Sequence, residues 1–239
     1  MKTIALATTL ALAIGSTPAH AVLQLAVQAG ATSFFCADNT ACDTNPALGV
    51  LSIGDQTIGG VTVNGSIQTS VKGHVNILNT SSLSIINSTG AAITTAAAIS
   101  DTDFAAPITG VAFAGAGTWQ EAVGSTASLE WFLDPANVQG AATAFDTPGT
   151  LIGAFVDTPL LPADSFSTFG STPFFATGPF SMTEATSGVL SAGAELINRG
   201  QTEIATIPEP STWAMLVMGG LAMAWAGVRR RGKSARFAL

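Results

Sequence analysis

His74 is the only histidine after residue 21, so any Ser-His-Asp mechanism beyond that point would have to pass through it. It lies on the polar phase of the alternating stretch Val71–Ile77, the position of an exposed strand residue. No Gly-x-Ser-x-Gly elbow accompanies it to present a nucleophile. Glycoside hydrolysis asks for two carboxylates facing each other across a cleft. Fourteen Asp and Glu between residues 22 and 207 satisfy that condition in many ways, and no pair stands out. Asp101-Thr102-Asp103 is the best metal candidate, because Asp101 and Asp103 alternate as two carboxylates sharing a calcium ion would. The Gly and terminal Glu of an EF-hand are missing, and a solvated turn explains the same residues. Cys36-Ala37-Asp38-Asn39-Thr40-Ala41-Cys42-Asp43 is a second, weaker acidic loop. Indole faces pack on pyranose rings, which makes Trp119 and Trp131 the candidates for a sugar platform. Trp131 is in phase with Leu129 and Leu133 and belongs to a core. Trp119 follows the Gly115-Ala116-Gly117 loop and is the candidate glycan contact.

Apolar residues recur mostly at spacing two, which buries one face of a strand and solvates the other. Leu23, Leu25 and Val27 alternate with Gln24 and Gln28; Val71, Val75 and Ile77 alternate with Lys72, His74 and Asn76; Leu129, Trp131 and Leu133 bracket Glu130 and Phe132. Asn64-Gly65, inside Val61–Ile67, carries the strongest hairpin signal, because Asn-Gly accepts positive φ. Further strands are predicted over 151–156, 166–169, 174–176, 180–184, 188–194 and 202–207, separated by Pro- and Gly-bearing turns. A short helix competes over Ala91–Ile99, and a single turn over Pro135–Gln139. The expected fold is all-β, a single sandwich of jelly-roll type. Residues 196–207 read as including a tether, and Phe180–Glu184 as a final core strand.

Charge is distributed unevenly. Lys72 and Arg199 are the only cations between 22 and 207, against fourteen acids, a net charge of −12. Nucleic-acid binding needs clustered cations to neutralise phosphate, so that class is excluded. Cys36 and Cys42 are the only cysteines, and in an oxidising compartment such a pair forms a bridge around a small loop. Asn64, Asn79 and Asn87 each begin an Asn-x-Ser/Thr pattern, a frequency that chance allows in so Ser- and Thr-rich a chain.

The two ends are of a different kind. Residues 1–21 comprise Lys2, an apolar stretch from Ile4 to Ile14 and Ala19-His20-Ala21, the pattern of a cleavable secretory signal peptide. Near the other end, Pro208-Glu209-Pro210 precedes Thr212–Val228, seventeen uncharged residues, and then Arg229-Arg230-Arg231. As a helix that apolar run would measure about 25 Å, the short end of a membrane span. The basic cluster holds residues 232–239 in the cytoplasm and leaves the chain before 212 outside. Pro208 and Pro210 keep the motif extended, as a processing enzyme's substrate must be.

Pro-Glu-Pro, an apolar span and a basic stop, in that order over residues 207–231, resemble the sorting signal of PEP-CTERM proteins. The chain departs from that pattern in running eight residues past Arg231. The resemblance implies recognition by an exosortase, a membrane-embedded cysteine transpeptidase that cuts near Pro208-Glu209-Pro210 and removes the helix at 212–228. It also implies export across the inner membrane, a transient anchor, and residence at the cell surface or in the extracellular matrix, in association with exopolysaccharide and biofilm. The expected product is a β-sandwich ectodomain over 22–206, non-enzymatic, with no cofactor apart from candidate calcium at Asp101 and Asp103. A carbohydrate-binding module contacting glycan through Trp119 is the alternative, and a secreted hydrolase ranks behind both.

Overall fold

Side-chain alternation sets the elements, and pairing on both sides fixes their lengths. The computed structural model describes residues 22–72 and 75–205. Residues 1–21, His74, Pro208-Glu209-Pro210, the apolar run at 212–228 and Arg229-Arg230-Arg231 lie outside the described residues. Within the described residues there are twelve strands and no helix. They are β1 (Gln24–Ala29), β2 (Thr32–Ala37), β3 (Val50–Ile58), β4 (Val61–Lys72), β5 (Val75–Asn87) and β6 (Ile93–Phe104). The second half supplies β7 (Ile108–Gln120), β8 (Thr126–Asp134), β9 (Thr150–Asp157), β10 (Asp164–Ala176), β11 (Phe180–Leu190) and β12 (Glu195–Ala205).

Two six-stranded sheets result, ordered β2-β1-β6-β11-β8-β9 and β10-β7-β12-β5-β4-β3. The pairing is nested and antiparallel: β8 with β9, β7 with β10, β6 with β11 and β5 with β12. The chain from β5 to β12 therefore behaves as one long hairpin folded between two sheets. β1 and β2 extend the first sheet past β6; β3 and β4 extend the second past β5. The expected all-β sandwich is present.

The inner faces meet in one apolar core containing Leu25, Val27, Val61, Val63, Ile67, Leu83, Ile85, Ile99, Leu129, Trp131, Leu133 and Met182. Each large side chain fully removed from water contributes about 1.5–3 kcal/mol. Aromatic rings pair inside it: Phe104 with Phe180, centroids 5.8 Å apart, and Phe113 with Trp131 at 5.0 Å. Cys36 and Cys42 form the expected disulfide, S–S 2.07 Å, at the end of edge strand β2.

Five local expectations are corrected. Asn64-Gly65 is not a turn but the middle of β4; the reversal falls at Gly59-Gly60, where φ is +57° and +84°. Val61, Val63 and Ile67 keep one buried phase through Asn64-Gly65, so no reversal can occur there without turning that phase outward. Gly65 is needed instead because the β5 backbone at Ser82 and Leu83 presses on it. The stretch Val71–Ile77 is divided between β4 and β5, with Lys72 opposite Val75. Ala91–Ile99 contributes to strand β6, since pairing with both β1 and β11 overrides the helix propensity of its alanines. Phe180–Glu184 opens β11 and is not the last core strand. Residues 196–205 are no tether either: β12 lies between β7 and β5 in the middle of its sheet.

Candidate functional site

The long strand β7 is built to leave a trough above it. Its odd residues Val111, Gly115, Gly117 and Trp119 are buried, and its even residues Gly110, Ala112, Ala114, Ala116 and Thr118 face outward. The inner glycines give way to large rings: a Cβ at Gly115 would stand 2.9 Å from the Trp131 ring, and one at Gly117 would strike Phe166. Outward, the small side chains leave a low floor. Its walls come from the neighbours in register, with Ser167 and Arg199 flanking Ala116, and Ser171 and Glu203 flanking Ala112. Phe169 pairs with Ala114 and is 89% exposed on the edge strand. Strands lie about 4.8 Å apart, so the two walls stand about 10 Å from each other.

Three adjoining depressions follow this floor. One of about 470 Å³ lies over Gly110 and Ala112, bounded by Ser171, Pro173 and Glu203. One of about 480 Å³ lies over Ala114 and Ala116, bounded by Asn79, Ser167 and Arg199. A smaller one of about 190 Å³, between Phe169 and Glu203, joins them. The result is an open, shallow groove along the strand direction. It is lined by methyl groups, hydroxyls, an amide, one carboxylate, one guanidinium and one aromatic ring. Sequence reasoning did not single out Phe169 or Arg199. The alternation Ala112, Ala114, Ala116 was the available signal, but it discloses a groove only when taller side chains lie on both sides.

The residues singled out from sequence are placed elsewhere. Trp119 is 1% exposed, so it cannot stack on a glycan. Its Nε1 donates to Asp157 Oδ2 at 2.7 Å, and its ring packs near Phe166. Trp131 is core, as its phase required, and its Nε1 has no hydrogen-bond partner. Asp101 is buried; burial pushes its carboxyl up to about 6, against a hydrogen bond from Thr102 N–H. Asp103, by contrast, is exposed with φ +60° and exchanges two hydrogen bonds with Asn137. That exchange ties the 135–149 loop to β6. Among the described residues no three His, Cys, Asp or Glu side chains are grouped to hold a metal ion, and Asp101 and Asp103 are directed to separate partners. Asn87 is fully buried, with its amide donating to Ala91, Leu190 and Ser191 carbonyls, which removes it as a glycan acceptor.

The loop closed by Cys36 and Cys42 is organised by its own acids. Asp38 accepts from Gly49 N–H at 2.7 Å, and Asp43 accepts from Ser52, Asn45 and Asn39 N–H groups. Burial raises Asp38, with Asp43 adding to the rise. Burial also raises Asp43, but the three N–H donors together outweigh it and hold that carboxyl low. This acidic loop therefore organises backbone.

The most perturbed acid is one that the sequence did not flag. Glu184 on β11 is buried between the sheets, and burial pushes its carboxyl up to about 8. Thr80 donates to Oε2 at 3.1 Å and Thr202 to Oε1 at 2.9 Å, both from the opposite sheet. Asn198 adds a bond to Thr186 at 2.6 Å, while its own Oδ1 has no partner. Gly200 makes the room, since a Cβ there would lie 2.6 Å from Glu184 Oε2.

No protein-family model matches the chain, and no curated protein does. Solved structures resemble parts of it. TmCBM61, solved with β-1,4-galactotriose, is 11% identical with a TM-score of 0.32, covering 62% of this chain and 89% of its own. The C-terminal family 22 carbohydrate-binding module of Clostridium thermocellum Xyn10B is 13% identical with a TM-score of 0.30, covering 64% and 92%. The C-terminal CBM6 of LamC from Zobellia galactanivorans is 10% identical with a TM-score of 0.25, covering 59% and 89%. Scores this low carry no inference about what this chain binds.

Proposed function

We propose that the chain is an exported, non-enzymatic protein of the cell surface or extracellular matrix, associated with extracellular polysaccharide. One observation carries this reading. A single sandwich occupies the interval between the two terminal signals: Leu23 is already fully buried in the core, and β12 ends at Ala205, three residues before Pro208. The Cys36–Cys42 disulfide suits an oxidising compartment. We read the nested strands β5 to β12 as a jelly roll. The two carboxyls with the largest upward shifts, Asp101 and Glu184, are buried and hydrogen-bonded within the fold, a structural use of acids rather than a catalytic one.

The signals assign the route. A signal peptidase removes residues 1–21, and an exosortase acts at Pro208-Glu209-Pro210, releasing the domain from the helix at 212–228. Glu209→Ala is expected to leave that helix attached. Mass spectrometry of the accumulated protein reads the outcome, and loss of residues 212–228 from the variant would overturn the sorting assignment. The carbohydrate-binding reading gains its own observation in the groove over β7. Pull-down of the secreted protein on the producing cell's own exopolysaccharide tests the association. Sugar release by the purified protein would overturn the non-enzymatic part.

A further inference from the structure

We infer that the groove over β7 is a binding site for an extended chain of uncharged sugar units, held by stacking on Phe169 and by hydrogen bonds to Arg199 and Glu203. This rests on the polysaccharide association proposed above and adds its site and charge class. The walls stand about 10 Å apart, and the floor from Gly110 to Ala116 runs about 20 Å, so the space is long, narrow and open at the ends. Such a shape admits a polymer lying along the strand.

The lining selects among polymers. A peptide has one N–H and one C=O per residue to satisfy. The floor offers it none in return, because the backbone groups of β7 are committed to β10 on one side and β12 on the other. A sugar meets the opposite situation. Each hydroxyl both donates and accepts, and the walls present donors at Arg199 and an acceptor at Glu203, with Ser167 and Asn79 able to do both. The C–H face of a pyranose fits a floor of alanine methyls. Phe169, 89% exposed beside the floor at Ala114, is placed to stack from the side.

Charge narrows the class. The chain from 22 to 207 carries a net charge of −12, with fourteen acids against Lys72 and Arg199. A uronate or sulfated chain would bring one more negative charge per few ångströms into that field, and its repulsion outweighs what one guanidinium can offset. A neutral chain escapes this cost and still uses Arg199 as a donor.

Affinity electrophoresis of the secreted mature protein in gels containing β-glucan, galactan, xylan, alginate or a sulfated galactan reads the proposal. The expected result is retardation by at least one neutral polymer and by neither anionic one. Phe169→Ser and Arg199→Ser should each weaken it tenfold or more. Ala114→Leu, which fills the floor and leaves both wall residues unsubstituted, should abolish it. Both wall residues are exposed, so unchanged thermal melting accompanies these losses. Retardation confined to the anionic polymers would overturn the charge class. Retardation by a neutral polymer that survives all three substitutions would overturn the site and leave the polysaccharide association standing. Failure to bind any of the polymers or the cell's own exopolysaccharide would overturn both.

Discussion

β12 has two polar faces, and they have opposite fates. Its inward residues Asn198, Gly200 and Thr202 meet Glu184 and Thr186 of the other sheet, in a layer where every group must find a partner or go without. Its outward residues Arg199 and Glu203 flank the alanine floor of β7 and face water. The strand is the same, but its inward residues are uncharged and its outward ones carry full charges. Inside, the low-polarity surroundings penalise a charge, and Glu184 answers by holding its proton to about pH 8. On the outer face Arg199 and Glu203 are exposed beside the proposed ligand groove. Polarity inside this sandwich therefore acts on stability, and polarity on its outer face carries the proposed recognition.

The largest expected effect that tests this contrast is the pH dependence of folding. Glu184 has a folded value of about 8 against 4.5 for an ordinary glutamate. Below about pH 4.5 both folded and unfolded chains hold the proton. As pH rises towards 8 the unfolded chain releases it first, so the unfolded state is increasingly favoured and stability falls, levelling off above about 8. The loss should be on the order of a few kcal/mol. Urea unfolding midpoints from pH 4 to 9 measure it, and Glu184→Gln should remove most of the slope. A smaller decline should remain in the variant, confined to below about pH 6, from buried Asp101. An unchanged slope in Glu184→Gln would locate the pH response elsewhere.

Adding a single methyl inside should come next in size. Gly200→Ala places its Cβ 2.6 Å from Glu184 Oε2, and overpacking of this kind costs about 1–3 kcal/mol. The same experiment on the outer face should give the smallest effect. Ala114→Leu adds more atoms than Gly200→Ala, yet the floor is open, and the stability change should stay within about 0.5 kcal/mol. Denaturant midpoints of the two variants compare the faces directly; equal losses would erase the distinction drawn between them.

How far the fold was legible depends on what each signal measures. The alternation of Leu25, Val27, Leu129, Trp131 and Leu133 announced strands correctly, because burial on one face leaves a period of two wherever the strand lies. The cysteine pair was legible too, since the only two cysteines of a chain have one possible partner each. Asn64-Gly65 misled because local turn preference is weak against a buried phase that continues past it. Trp119 misled for a related reason: three preceding small residues read as a loop, whereas Gly115 and Gly117 are strand positions vacated for the rings of Trp131 and Phe166. Glu184 sat among Thr and Ser with nothing to mark it, since its partners Thr80 and Thr202 are distant in sequence.

By itself the sequence determined the all-β class and the disulfide, which follow from the period of its apolar residues and from the cysteine count. Tertiary structure alone decided which outward residues become neighbours. The groove requires β10, β7 and β12 to lie side by side, although β10 and β12 are separated in the chain by β11, which belongs to the other sheet. The buried acid layer needs the two sheets to close face to face. Both are products of nested long-range pairing, in which residues far apart along the chain come within reach, and no local pattern of residues encodes that.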